Sequence, residues 1–361
     1  MKYKVLSALL AILMVISVPA AFAQGDDEEK PFPDAYTLNA ANIRHEYQGW
    51  NNCGPTTMTM GLTYFGYTPD QNPAARFMKP HGEDKNVNPW EMTAYVNEMI
   101  TPEQGATVQA LYRVGGNFDL LRTLISNEFV VIIEKGYEPE GYDWMGHYLF
   151  LVGYDDNQQV FITYDSFLGP GLHEPYAKIE NYWWHFNNTF IVVYEPYREE
   201  ELMTLLGEWA DSDRAYQIAF ENAQERAAED GDNGWNWFNM GDALTKLGYY
   251  EQATEYFRVA LDKGMPWRTL WYRHTPFEAF YQTGQFQTVL QLVNQSKQTT
   301  PFVEEFHYWH GMVFASQGRT ADARAQFNQA LFYNQNHQPT IDAIAALDNN
   351  TFVPVEEVTA Q

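Results

Sequence analysis

Cysteine is almost missing from this chain. Among its 361 residues there is one, Cys53, so no disulfide can form within the molecule. Basic residues are also scarce: 22 Lys and Arg stand against 47 Asp and Glu, a formal charge of −25. Without a basic stripe to displace counterions, nucleic acid is not an expected partner, and an anionic membrane surface is disfavoured for the same reason. No His-Glu-x-x-His run or Cys-x-x-Cys pair occurs, so neither a metal nor another cofactor is expected. Beyond the first two dozen residues no apolar run has the length to span a bilayer. Disorder is excluded as well. A composition of 45% hydrophobic, 16% aromatic and 19% charged residues is that of a folded, aromatic-rich protein of two or three domains.

The first residues set the expected compartment. Lys2 and Lys4 precede an apolar run from Val5 to Val18, and Ala21-Phe22-Ala23 follows Pro19. This is the pattern of a cleaved secretory signal peptide over 1–23, giving a secreted or periplasmic protein with no stable membrane span after cleavage. The hydrophilic stretch that follows is expected to be an acidic linker over 24–43.

A lone cysteine in an exported protein is either a buried structural thiol or a reactive one. Its surroundings favour reactivity. Asn51 or Asn52 is placed to cap a helix, Pro55 suits its first turn, Met58, Leu62 and Phe65 recur at helical spacing, and Gly66 can end it. Cys53 thereby falls at a helix N-terminus, where unpaired N–H groups and the helix dipole favour a thiolate. Gln48, five residues upstream, could offer its side-chain amide to an oxyanion beside the sulfur.

Companions follow downstream. A short helix is expected over Leu120–Ile125 behind an Asn117 cap, then a buried strand over Phe129–Ile133. Gly146–Tyr154 and Val160–Asp165 read as the two strands of a hairpin, with Asp155-Asp156-Asn157 as turn residues. His147 and Asp165 then lie near the open end of the hairpin, where a carboxylate can fix the imidazole tautomer. A helix-borne Cys53 packed on that sheet would complete a Cys–His–Asp set. His45, His81, His173 and His185 open no strand paired with a carboxylate-bearing one. His307 and His310 fall within a helical repeat and read as structural.

With these motifs in view, residues 44–197 resemble the papain-like cysteine peptidases related to the bacteriocin-processing, double-glycine leader peptidases, cysteine peptidase family 39 and its broader "like" group. The resemblance rests on Gln48, on Asn52-Cys53-Gly54-Pro55, on Gly146-His147-Tyr148-Leu149-Phe150-Leu151-Val152-Gly153-Tyr154 and on Tyr164-Asp165-Ser166. It implies an α+β papain-like domain with Cys53 as nucleophile, His147 as general base and acid, Asp165 as orienting carboxylate and Gln48 as oxyanion donor. Transporter-linked members carry Pro after the Asp, where this chain has Ser166, and they face the cytosol on an ABC transporter. Cleavage after a double-glycine leader is therefore not carried over.

From about Tyr197 the pattern turns helical, with an expected connector over 198–232. Gly241, Gly248, Ala253, Phe257 and Ala260 recur 70 residues later as Gly311, Gly318, Ala323, Phe327 and Ala330. Seventy is two periods of 35, and residues 233–346 resemble tetratricopeptide (TPR) repeats, an all-α solenoid. The small residues and the two Phe read as packing positions. The aromatics Trp267, Trp271, Tyr272, Phe277, Phe280 and Tyr281 read as solenoid core, and 347–361 as a tail frayed from Val353 onward.

The expected activity is an exported cysteine peptidase hydrolysing a peptide or related amide, with the repeats recruiting a substrate or protein partner. Two alternatives share these features: a catalytically inactive TPR scaffold, and a cell-wall amidase or acyltransferase using the same Cys–His–Asp site.

Overall fold

Runs of β-branched and aromatic residues in the first half pair into one antiparallel sheet. The computed structural model describes residues 32–100 and 107–358, so the expected signal peptide and the start of the expected linker lie outside the described residues. The strands are β1 (Ala35–Thr37), β2 (Gln109–Arg113), β3 (Val130–Tyr137), β4 (Met145–Asp155), β5 (Val160–Asp165), β6 (Gly169–Pro175) and β7 (Phe190–Tyr194). Their order is β2-β7-β3-β4-β5-β6, with β1 on the far end of β4. Central β3 is buried along its whole length, as a strand covered on both faces must be. Edge strand β6 contains Pro170 and two glycines, which an edge tolerates because no described strand pairs beyond it.

Helices α1 (Cys53–Thr63), α2 (Gln71–Met78), α3 (Pro89–Ala94), α4 (Phe118–Ser126) and α5 (Tyr176–Trp183) cover this sheet. Asn117 caps α4 through a 2.8 Å bond from the Leu120 N–H, as its sequence indicates. The spacing of Met58, Leu62 and Phe65 suggests a single core face for α1, and Asn51 or Asn52 its cap; both expectations need correction. Gly54 through Thr63 are all buried, so α1 is a central helix without a solvent face. Neither Asn51 nor Asn52 caps it with a side-chain bond: Asn51 adopts a positive φ of 53°, and the Asn52 amide reaches Gln71 instead. The expected linker is partly sheet, because Ala35–Thr37 pair with Gly153–Asp155 and Phe32 joins the core.

The second half is helical: α6 (Glu199–Leu206), α7 (Ser212–Glu229), α8 (Gly234–Lys246), α9 (Tyr250–Asp262), α10 (Thr269–Tyr272), α11 (Thr275–Gln282), α12 (Phe286–Thr299), α13 (Glu304–Ser316), α14 (Thr320–Tyr333) and α15 (Gln338–Asp348). The 70-residue register has a direct packing cause. A Cβ added at Gly241 would meet the Phe257 ring at 2.8 Å, and one at Gly311 would meet Phe327 at 2.5 Å. Each glycine thus receives the ring of the paired helix, while Ala253, Ala260, Ala323 and Ala330 are fully buried beside it. The connector divides: Leu202 and Leu206 of α6 enter the core of the first domain, whereas α7 packs on α8. The tail is docked rather than frayed as far as Val358, the last described residue. The Val358 N–H donates to Gly284 O at 2.9 Å and the Val355 N–H to Ser316 Oγ at 3.2 Å.

Both ends of the solenoid rest on the sheet domain. At one end the Trp184 indole donates to Asn236 and Arg273 donates to His185 O. At the other, Asn334 donates to Met78 O and Glu91, and Asn88 to Glu305. Among the described residues, no helix is long and apolar enough to cross a membrane.

Candidate active site

Cys53 is the first residue of α1, so its backbone N–H has no carbonyl one turn above it to bond. Burial by itself would raise the thiol. The hydrogen bond and positive charge of His147, with backbone groups of Tyr148 and Gly54, outweigh it and bring Cys53 below its ordinary value. His147 stands near the start of β4, and its Nε2 lies 3.0 Å from Asp165 Oδ1 at the end of β5. The strand register explains the contact. Phe150 pairs with Tyr164, so His147 lies just past the end of β5, and the Asp165 side chain reaches it there.

Burial would also depress His147, but Asp165 and the Cys53 sulfur more than offset it and raise the imidazole to about 9. A lowered thiol beside a raised imidazole is the condition for a thiolate–imidazolium pair. Burial pushes the Asp165 carboxyl up. The His147 charge, with N–H groups of Phe167 at 2.7 Å and Leu168 at 3.1 Å, overrides this and holds it well below the usual carboxylate range. Asp165 therefore stays anionic and fixes both the orientation and the charge of the ring. Tyr137 stacks on the imidazole, with ring centroids 4.8 Å apart.

Gln48 shares the cleft with Cys53 and His147. Its backbone N–H donates to Ser166 O at 2.8 Å, and the Ser166 hydroxyl donates to Gln48 Oε1 at 2.8 Å. With the oxygen end of the amide occupied, Nε2 is left to donate. Gln48, Cys53 and His147 thus line one cleft of about 430 Å³, and Asp165, bonded to the imidazole, completes the set singled out in the sequence. His307 and His310 are elsewhere, bonded to Gln326 and Lys297 within the solenoid.

Sequence reasoning missed half of the cleft. Trp50, Lys85, Tyr142 and Phe167 come from loops of the sheet domain, and Arg268, Trp271 and Tyr272 come from the solenoid. Phe277, Phe280 and Tyr281 are core as expected, and so is Trp271, which together with Tyr272 also lines the cleft; Trp267 is half exposed. No local signal separates an aromatic that fills a repeat from one that walls a cleft 120 residues away in sequence.

Comparison with known proteins agrees with this division. Residues 37–197 match the model of the "Peptidase_C39 like family", and residues 236–262 match that of a tetratricopeptide repeat. The chain carries a Peptidase_C39-like domain joined to a tetratricopeptide segment. The family match begins at Thr37, within β1, where the fold places the start of the domain. Similar solved structures include the crystal structure of MamA, at 11% identity and TM-score 0.32, covering 38% of this chain and 80% of that one. Another is YrrB, described as a TPR protein with an unusual peptide-binding site, at 16% identity and TM-score 0.31, covering 42% of this chain and 76% of that one. No curated protein matches the chain.

Proposed function

We propose that the protein is a cysteine peptidase acting outside the cytosol, with Cys53 as nucleophile. The observation that carries this reading is the buried His147–Asp165 contact beside a thiol at a helix N-terminus. In the reaction, the Cys53 thiolate adds to the scissile carbonyl, and its oxygen takes hydrogen bonds from the Cys53 N–H and Gln48 Nε2. The C–N bond breaks as the His147 imidazolium gives its proton to the leaving amine. The neutral imidazole then takes a proton from water, the resulting hydroxide adds to the thioester, and the C–S bond breaks to release the acid and restore the thiolate. His147 and Asp165 lose no net proton over the cycle. The solenoid serves to recruit a substrate or partner protein. The extracytoplasmic assignment rests on the Lys2–Ala23 pattern.

Cys53→Ala should abolish hydrolysis of peptide substrates while leaving the melting temperature within about 4 °C, a shift of roughly 1 kcal/mol or less. Unfolding of the variant would instead make Cys53 a packing residue. Asp165→Asn should slow turnover less than His147→Ala, because an amide still orients the ring. Equal and negligible effects would remove both from the mechanism.

A further inference from the structure

The cleft around Cys53 is not closed by the sheet domain alone. Between α9 and α11 the solenoid sends Trp267–Tyr272 across to the loop that joins β3 to β4. The Trp267 indole donates to Asp143 Oδ2 at 3.2 Å, and Arg268 Nη1 donates to Asp143 O at 3.0 Å. Tyr272 sits directly against the residue before the imidazole: a Cβ on Gly146 would meet its ring at 2.9 Å. Any side chain at position 146 would push this segment away, so the glycine next to His147 keeps the solenoid within reach of the reacting sulfur.

The surface so formed has a definite chemistry. Trp50, Tyr137, Tyr142, Phe167, Trp271 and Tyr272 contribute aromatic faces, and three of them, Trp50, Tyr142 and Phe167, are about half exposed or more at 71%, 63% and 48%. Exposed aromatics clustered around one cleft are the kind of surface that binds a ligand or partner. The charge there is also unlike the rest of the chain. In a molecule of net charge −25, the lining residues include Lys85 and Arg268 but no Asp or Glu. Arg268 lies over Trp267 and Trp271 with its guanidinium 4.5 and 5.5 Å from the rings. It meets backbone carbonyls through Nη1, and its Nε has no partner among the described residues.

We propose that the solenoid segment Trp267–Tyr272 is the substrate-selecting wall of the Cys53 cleft, and that it selects peptides presenting an aromatic side chain and a carboxylate close to the scissile bond. This deepens the peptidase reading and rests on it for the identity of the substrate as a peptide. The aromatic side chain stacks among the cleft rings, and the carboxylate meets the Arg268 guanidinium. The repeats are then part of the active site itself, in addition to any partner they hold.

The test separates binding from chemistry. A positional set of fluorescein-labelled, end-blocked hexapeptides, each with one Phe or Gly and one Glu or Lys, is titrated by anisotropy into full-length Cys53→Ala protein. Peptides with Phe and Glu should bind at least about 10-fold tighter than those with Gly and Lys, the size expected of one charge-assisted contact. Adding Arg268→Gln should erase the preference for Glu over Lys and keep that for Phe. Adding Trp271→Ala should weaken the preference for Phe, and Tyr272→Ala, at a half-buried position lining the same cleft, repeats that measurement should Trp271→Ala fail to fold. Preferences that are flat, or that stay unchanged in the solenoid variants, would overturn the proposal. Hydrolysis of the same set by the wild type is read separately: selective binding without cleavage would sink the peptidase reading and leave the wall standing.

Discussion

Ser166 shows how much one side chain can matter to the candidate site. It stands where transporter-linked relatives of this domain carry proline, and proline could not donate the 2.8 Å bond that holds Gln48 Oε1. The hydroxyl is fully buried, so it works as a fixed post for the amide. Ser166→Ala should therefore lower kcat by about 10-fold with little change in KM, a fraction of the loss expected from removing an oxyanion donor outright. The rate of Cys53 alkylation should not move, since the Cys–His pair is untouched. A change in alkylation with kcat intact would assign Ser166 to a different task. The four site residues were legible because each carries a local signal: a helix start for Cys53, strand ends for His147 and Asp165, a short offset for Gln48. The role of Ser166 was not, because it depends on a contact spanning 118 positions.

Among the elements, the paired helices of the repeat are the most strongly determined. Gly311 faces the Phe327 ring so closely that a Cβ would stand 2.5 Å from it, and neither ring nor helix has room to give. Gly311→Val should destabilise the fold by on the order of 1–3 kcal/mol, read as a lower urea midpoint. Wild-type stability in that variant would mean that the repeat is loosely packed. This register could be seen in the sequence because it recurs. Strand β5 could be seen because its β-branched run ends in clear turn residues. Strands β1 and β6 could not: β1 has three residues, and β6 is broken by Gly-Pro-Gly, a pattern that reads as a turn and that only an edge position allows. The docked tail was hidden for a related reason, since its bonds to Gly284 and Ser316 follow no local pattern.

Across the whole molecule, the junction of the two halves carries an unusual load of acid. Asp84 and Glu91 of the sheet domain meet Glu304 and Glu305 of α13, all buried. Burial, then the charge of Glu305, raises Asp84 to about 7, although the Asn86 N–H and Lys79 pull it down. Glu91 and Glu304 are raised well above the usual range for the same reasons. The sign follows from linkage. The folded cluster retains protons that the unfolded chain releases above about 4, so its contribution to stability is greatest at acid pH and falls as pH rises toward 7. Because His185, His307, His310 and His337, lowered by burial to about 3 or 4, contribute with the opposite sign, the expected result is a difference: between pH 5 and 7 the urea midpoint of the wild type should fall relative to that of Asp84→Asn. A difference from the variant that stays flat or rises across this window would show Asp84 to be ionised in the folded chain.

The proposed peptidase chemistry turns on the thiolate–imidazolium pair. Its most direct measurement is the alkylation rate of Cys53 by iodoacetamide against pH, in the full-length protein and in His147→Ala. With the thiol lowered and His147 raised to about 9, labelling should already be fast at pH 6 and should slow sharply without His147. Labelling that rises only near the ordinary thiol value of about 8.5, and that is indifferent to His147, would contradict the account.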